Sequence, residues 1–320
     1  MTTPLFYLSE PTGAVDAGDV DACLAPLQIA LDCLANINEW HFRRSLRQAE
    51  KGLSDQVLPP LYASRVRYRP RQRGRQEWLD VPEVMAQGYG SAEDLAAWRA
   101  GELRANNVDA EPVVGHEWIS GKWRLRFMVR HPDGSIEDPA RRVGGKGAQD
   151  ASSEPGNVPL MKLSLPDTDD GAHFVPLQIA LEGLTQIDEW QLRRWLRQAE
   201  LGLASDVPPP LYTSGVRYKE EAPGREDWLD VRRVLEQGHA DCEDLAAWRT
   251  AELRVAGHDV EPVIKWQWIP REMMLAQGYP ANKLPGRGVW MVHCEVRWPD
   301  GSIEDPSKIL GMGGTFTERI

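Results

Sequence analysis

Hydrophobic residues recur at helical spacing in two segments of the chain that lie 150 positions apart. The segment from 176 to 190 repeats the pattern that is set in the first segment by Leu27, Leu31, Leu34, Ile37 and Trp40. Steps of three and four residues place one apolar stripe along a helix. Because proline suits the first turn, we expect these helices to open near Pro26 and Pro176.

A further helix is predicted to begin at Asp241. This residue suits an N-cap, and Asp244 stands three positions on, where the acid of a capping box bonds back to the cap. Leu245 and Trp248 then form an inward-facing stripe. Cys242 falls in the first turn, where free N–H groups and the helix dipole favour a thiolate. The position is suited to a reactive thiol.

The same capped helix occurs 150 residues earlier, with one informative difference. Residues 88–99 keep the stripe and replace the cap by Ser91, but Ala92 stands where the second copy has Cys242. A residue needed only for packing can be alanine or cysteine, whereas a nucleophile cannot be alanine. The duplication therefore favours a chemical role for Cys242 in the second copy.

Near the C-terminus, two short strands flank a Pro-Asp-Gly turn. Proline suits the first central position of the turn, and glycine suits the left-handed residue that closes a three-residue hairpin loop. This loop pairs Trp298 with Ser302 and sets Glu295 opposite Asp305. His293 then shares a face with Asp305 as a diagonal neighbour, close enough for the two side chains to meet.

We therefore predict a catalytic triad of Cys242, His293 and Asp305. The thiol would attack a carbonyl, the imidazole would take and return the proton, and the carboxylate would orient the imidazole. In the first copy Arg126 aligns with His293, while Asp138 aligns with Asp305. The first copy thus lacks both the nucleophile and the base.

Helices followed by a β-rich region in each copy predict an α+β fold. The predicted domains are a first repeat over residues 1–144, a linker over 145–156 and a second repeat over 157–320. Asp138 and Asp305 are offset by 167 rather than 150 residues, so 167 − 150 = 17 extra residues lie between positions 270 and 290. Long loops of this kind are usually functional or mobile.

Three stretches carry a resemblance to a known family. They are residues 210–212 (Pro-Leu-Tyr), 241–249 (Asp-Cys-Glu-Asp-Leu-Ala-Ala-Trp-Arg) and 298–306 (Trp-Pro-Asp-Gly-Ser-Ile-Glu-Asp-Pro). Together they resemble the transglutaminase-like cysteine proteinases of the papain-like superfamily, in a subgroup similar to tailed-bacteriophage virion proteins. The resemblance implies two tandem transglutaminase-like domains, the first degenerate. In the second, a helix bearing Cys242 would pack on an antiparallel sheet bearing His293 and Asp305.

Composition narrows the possible partners. The net charge of −11 over 320 residues argues against a general nucleic-acid or anionic-membrane binder. No apolar run reaches membrane-spanning length, and the first residues lack the features of a secretory signal. The four cysteines have no framework spacing, which favours a reducing compartment. With the resemblance, this predicts a location in a virion or the host cytoplasm.

Two functions remain open at this point. One is a thiol-dependent acyl hydrolase or transferase, such as a cysteine peptidase or amidase, acting on a protein substrate. The other is a non-catalytic structural or adaptor protein of a virion capsid, neck or tail, bound to other virion proteins in a larger complex.

A third hypothesis is a metal site built from His239, Cys242, His293 and Cys294. Adjacent strand residues point to opposite faces, so His293 and Cys294 would not converge on one ion. We therefore predict no metal and no cofactor.

Overall fold

The computed structural model describes residues 2–5, 20–70, 77–119, 122–144, 160–164, 174–203, 207–221, 227–276 and 288–312. They form a mixed helix-and-sheet fold with small sheets, in agreement with the predicted α+β class. Contacts divide the chain into two units, Met1–Gly183 with Gly224–Trp228, and Leu184–Pro223 with Leu229–Ile320. The predicted boundaries at 144 and 157 follow the sequence repeat instead, and the predicted linker lies outside the described residues.

The elements up to residue 164 are, in chain order, β1 (Thr2–Leu5), α1 (Val20–Glu50), β2 (Arg67–Tyr68), β3 (Glu77–Leu79), α2 (Val81–Gln87), β4 (Tyr89–Gly90), α3 (Ala92–Ala105), β5 (Glu111–Ile119), β6 (Lys122–Arg130), β7 (Ile136–Glu137), α4 (Pro139–Arg142) and β8 (Leu160–Ser164). The remaining elements are α5 (Phe174–Glu200), β9 (Arg217–Tyr218), α6 (Val231–Gln237), β10 (His239–Ala240), α7 (Cys242–Val255), β11 (Glu261–Pro270), α8 (Arg271–Ala276), β12 (Gly288–Arg297), β13 (Ile303–Glu304) and α9 (Pro306–Ile309).

The long helices α1 and α5 follow the predicted apolar stripes. Leu31, Leu34 and Ile37 of α1 are fully buried, as are their counterparts in α5. α1 begins six residues before Pro26, since 26 − 20 = 6, so this proline lies inside the helix. It lacks the N–H that would bond one turn back, a loss that the rest of this 31-residue helix tolerates.

Three strands that are far apart in sequence form one sheet in the first unit. β8 lies in the middle, antiparallel to β1 and parallel to β3. Leu5 of β1 and Trp78 of β3 both pair with Met161. The short segment before α1 and its repeat before α5 therefore pair with each other.

The first unit also contains an antiparallel sheet in the order β5-β6-β7, against which α3 lies. Helices α1 and α3 come close at Gly101, where an added Cβ would lie 2.7 Å from the backbone nitrogen of Glu39 and from the Cβ of Asn38. This close approach requires glycine. Ala251 occupies the equivalent position in α7.

The second unit has the matching sheet β11-β12-β13, with α7 lying against β12. The registers of the two sheets show which residues are equivalent. Ile264 pairs with Cys294, and Val114, 150 residues before Ile264, pairs with Phe127. Phe127 is thus the structural counterpart of Cys294, and by the same register Arg126 is the counterpart of His293.

The predicted hairpin near the C-terminus is confirmed. The backbone N–H of Trp298 donates to the carbonyl of Ser302 at 2.9 Å, and Gly301 adopts φ +84°. Val296 pairs with Glu304, which continues the predicted register. Part of the 270–290 insertion forms α8, and residues 277–287 lie outside the described chain. None of the described helices combines the length and apolar composition of a membrane-spanning segment.

Candidate functional site

A hydrogen-bond network joins three parts of the second unit. Arg249 of α7 donates from Nε to Glu304 of β13 at 2.6 Å and from Nη1 to Glu252 at 2.7 Å. Glu252 also accepts the backbone N–H of Leu211 at 2.8 Å, and the hydroxyl of Tyr212 donates to Glu304. The guanidinium of Arg249 lies 4.8 Å from the ring centre of Tyr212. The network connects the Pro-Leu-Tyr turn at residues 210–212 to α7 and to the hairpin formed by β12 and β13.

The first unit contains the same network, residue for residue. Arg99 contacts Glu102 at 2.6 Å and Glu137 at 3.3 Å, Glu102 accepts the N–H of Leu61 at 2.8 Å, and Tyr62 donates to Glu137. Much of the motif that carries the family resemblance therefore has a structural role. The network residues are of the same type in both copies, and this agreement was the signal that could have revealed the network from the sequence.

The network also fixes the protonation of its acids. Although burial acts to raise it, hydrogen bonds from Arg249 and Tyr212 hold the pKa of Glu304 below its ordinary value. Burial and the bond to Glu304 raise the pKa of Tyr212. Glu304 is therefore ionised, and Tyr212 is a neutral donor, at neutral pH.

Cys242 is the first residue of α7, as predicted, and Asp241 is its N-cap. Its thiol donates to Glu243 Oε2 at 3.1 Å and is hydrogen-bonded with Cys294 of β12. The sulfur atoms of both cysteines and one carboxylate oxygen of Glu243 lie within 4.8 Å of one another. Among the described residues, the hydrogen-bond partners of this thiol are Glu243 and Cys294.

These surroundings raise the pKa of the Cys242 thiol well above its usual value. The hydrogen bond with Cys294 contributes most, followed by burial and the charge of Glu243. We expected the start of α7 to favour the thiolate of Cys242. The hydrogen bond with the buried thiol of Cys294 and the charges of nearby acids outweigh the effect of the helix dipole on this pKa.

His293 and Asp305 meet as the predicted register requires. His293 Nε2 lies 3.0 Å from Asp305 Oδ2, and the imidazole is 3% exposed. Asp305 is also the N-cap of α9, since its Oδ1 accepts the N–H of Lys308 at 3.0 Å. Burial acts to raise the pKa of Asp305, but the hydrogen bond from His293 and the cap lower it overall.

The sheet faces separate this pair from Cys242. Val296 packs with Leu253 of α7, so the face of β12 that includes Val296 and Cys294 lies toward the helix. Side chains alternate along a strand, which turns His293 and Glu295 to the other face. Glu295 forms an ion pair there with Lys265, which pairs with His293 across the sheet. The structure thus brings His293 to Asp305, and Cys242 to Cys294.

The first unit differs at each of these positions. Arg126 Nη1 lies 3.9 Å from Asp138 Oδ2 in place of the histidine–aspartate pair. Buried Ala92 and Phe127 stand where the second unit has its two thiols, and the ring of Phe127 packs edge-on against Trp78 at 5.7 Å. Two buried apolar side chains in one unit therefore take the positions of two clustered thiols in the other.

Buried acids surround the thiols of the second unit. Asp241 is 7% exposed and its carboxylate makes no capping bond, and among the residues that the structure describes its Oδ1 has no hydrogen-bond partner. Burial first, and then Glu243 and Asp244, raise the pKa of Asp241 well above its usual value. In the first unit Ser91 replaces it and bonds to Asp94 through both its N–H, at 2.9 Å, and its hydroxyl, at 2.7 Å.

The residues of the metal hypothesis do not come together as a set. His239 Nε2 lies 3.3 Å from the Lys219 amine, and His293 and Cys294 lie on opposite faces of β12. The described residues instead offer two other groups of close ligand atoms, one in Cys242, Glu243 and Cys294, and one in His293, Glu295 and Asp305.

Comparison of the chain with protein-family models, with curated protein sequences and with solved structures finds no match.

Proposed function

We propose that this chain is a non-catalytic structural or adaptor protein of a bacteriophage virion, built from two copies of a transglutaminase-like fold. The observation that supports this proposal is the separation of the thiol from the imidazole. Cys242 lies with Cys294 on the helix side of β12, whereas His293 lies with Asp305 on the other side. Thiol catalysis requires a base within hydrogen-bond reach of the nucleophile.

The state of the thiol supports the same proposal. A neutral thiol is a poor nucleophile, and the hydrogen bond with Cys294, burial and Glu243 all raise the pKa of Cys242. The network that both units share connects a turn, a helix and a hairpin, as expected of a building block. Its partners would be other proteins of the capsid, neck or tail.

Alkylation kinetics test the proposal. The intact chain is treated with iodoacetamide at neutral pH, and modification of each cysteine is followed by mass spectrometry. We expect Cys242 to react more slowly than an unhindered thiol, at a rate unchanged in His293→Ala. Rapid labelling confined to Cys242 and lost in His293→Ala would contradict the proposal, because it would require an activated Cys–His pair.

The second candidate is a thiol-dependent acyl hydrolase or transferase with Cys242 as nucleophile, His293 as base and Asp305 orienting the base. It is favoured by one observation, the 3.0 Å contact between His293 and Asp305 in the unit that has the cysteine. The other unit has an arginine–aspartate pair and Ala92. Turnover of peptide or amide substrates, abolished by Cys242→Ala, would establish this candidate.

Particle composition tests the assignment to a virion. If the chain is a structural component, purified particles of the phage that encodes it contain it in fixed stoichiometry. The variant Cys242→Ala should then be incorporated normally and leave infectivity unchanged. Absence of the chain from particles would contradict a structural role.

A further inference from the structure

The two thiols and the carboxylate at the start of α7 form a compact set of metal-binding atoms. Cys242 Sγ, Cys294 Sγ and a carboxylate oxygen of Glu243 lie within 4.8 Å of one another, with 3.1 Å between Cys242 Sγ and Glu243 Oε2. Ligands of a tetrahedral zinc ion with usual bond lengths are separated by about 3.3–3.8 Å. The cluster is therefore close to the spacing that zinc requires.

A further buried acid, Asp241, lies beside this set and is hydrogen-bonded to one of its members. Asp241 is 7% exposed, and its carboxylate is hydrogen-bonded with that of Glu243, although within the described part of the chain its Oδ1 has no hydrogen-bond partner. An aspartate at an N-cap normally accepts a backbone N–H of the first turn, and Asp241 does not. A buried acid that bonds to Glu243 instead of capping its helix has the place of an outer partner that orients a metal ligand.

The first unit shows that the fold does not need these donors. Ala92, Phe127 and Ser91 replace Cys242, Cys294 and Asp241, and Ser91 caps its helix through Asp94. Both thiols and the neighbouring acid are thus absent from one copy together. The joint replacement of both thiols and this acid, with Glu93 kept at the position of Glu243, fits a shared ligand better than independent packing changes.

The donor types select the ion. Two cysteine thiolates favour a thiophilic ion over magnesium or calcium, which prefer oxygen ligands. Carboxylates are also accepted by zinc, and three protein ligands leave the fourth tetrahedral position to water or another ligand. On binding, each thiol releases its proton and its sulfur forms a bond to the metal, so no electron transfer is involved.

We propose that Cys242, Glu243 and Cys294 bind one zinc ion, which connects the first turn of α7 to β12, and that Asp241 orients Glu243 through the hydrogen bond between their carboxylates. The inference goes beyond the structural role proposed above, since that role requires no metal. A phage structural protein without zinc would refute only this site, and a zinc-binding enzyme would refute only the structural role.

Reconstitution of the full chain tests the site. The purified chain is freed of metal under reducing conditions, titrated with zinc, and separately with Co²⁺ as a spectroscopic probe. We expect about one bound ion per chain and the ultraviolet charge-transfer band of cobalt–thiolate bonds. Cys242→Ala and Cys294→Ala should each lose this stoichiometric binding, and Asp241→Asn should weaken it by roughly 10- to 100-fold.

Matched variants separate the site from others in the chain. Cys33→Ala removes a buried thiol of the first unit and should leave binding unchanged. His293→Ala removes a member of the second group of ligand atoms and should also leave it unchanged. Cys242→Ala introduces the residue that the first copy carries, so its helix is expected to fold, which circular dichroism checks.

Two results would overturn the assignment. One is the absence of stoichiometric zinc or cobalt uptake by the folded chain. The other is uptake that survives Cys242→Ala and Cys294→Ala, or that is lost in His293→Ala instead, since the ion would then be bound elsewhere.

Discussion

The two halves of this chain agree in the residues that hold their elements together and differ in the residues between the helix start and the sheet. Arg99 and Arg249 each connect two glutamates and a tyrosine in the same arrangement. Between the helix start and the central strand, one half has Ala92 and Phe127 and the other has two thiols. The shared residues therefore identify the architecture, and the differing residues identify where the chemistry of the two halves differs.

The largest effect is expected from breaking the shared network. Glu304→Ala removes the acceptor of Arg249, Tyr212 and Trp298, and should lower the free energy of unfolding by about 3 kcal/mol. Glu137→Ala should have a similar effect in the other half. Urea unfolding measures the change in each variant. A loss of stability in only one of the two variants would show that the network does not stabilise both halves equally.

The pH dependence of the network has a definite sign. Because the pKa of Glu304 is held below its usual value of 4.5, its contribution to stability is complete above that pH and is lost as pH falls through the lowered value. The stability difference between the wild type and Glu304→Ala should therefore shrink in acid.

A smaller effect tests the spacing of the helices. Gly101→Ala would place a Cβ 2.7 Å from the backbone nitrogen of Glu39. We therefore expect it to lower the free energy of unfolding by about 2 kcal/mol. The opposite change, Ala251→Gly, removes only a methyl group in the second half and should lower the free energy of unfolding by about 1 kcal/mol. Equal effects would mean that the two helix pairs are equally close. Thermal or urea unfolding distinguishes these outcomes.

Asp188→Asn should be stabilising, which sets it apart from the previous variants. Asp188 is fully buried, its Oδ1 accepts the N–H of Val231 at 2.9 Å, and the equivalent residue in the first half is Asn38. Burial and the charge of Asp230 raise the pKa of Asp188 well above its usual value. We expect Asp188→Asn to raise the free energy of unfolding by about 1–2 kcal/mol at neutral pH.

The gain should also depend on pH in a definite direction. An acid whose pKa is raised by folding destabilises the fold as pH rises above the unfolded pKa, so the benefit of Asp188→Asn appears above about pH 4. Below that pH the wild type and the variant should unfold alike. A gain that persists undiminished in acid would contradict this explanation.

The smallest effect is expected at a surface ion pair that both halves also share. Arg297 pairs with Glu261, and Arg130 pairs with Glu111 at 2.9 Å, with all four side chains at least half exposed. Arg297→Ala and Arg130→Ala should change the free energy of unfolding by less than about 0.5 kcal/mol. Larger losses in urea unfolding would show that recurrence, rather than burial, determines the importance of a contact.

Much of the local structure could be predicted from the sequence because local chemistry determines it. The turn residues fixed the hairpin register, and with it the contact between His293 and Asp305. The cap placed Cys242 at the first position of α7. The apolar stripes located α1 and α5, although α1 extends past Pro26 because a long, well-packed helix tolerates one missing hydrogen bond.

The relation between Cys242 and His293 could not be derived in the same way. The hairpin register determines which side chains share a face of the sheet, but not which face the helix covers. A shift of one residue along a strand exchanges the two faces. Here the helix covers the face of Cys294, the cysteine beside His293 that the triad hypothesis left without a role.

The position of β8 has a practical consequence for dividing the protein. This strand follows the predicted linker in sequence, yet it is the middle strand between β1 and β3. A fragment that stopped at residue 144 would leave β3 with a free edge and nothing for β1 to pair with. Such open edges recruit other chains. An N-terminal fragment that ends at the sequence repeat is therefore expected to aggregate, whereas one that includes Ser164 keeps the sheet complete.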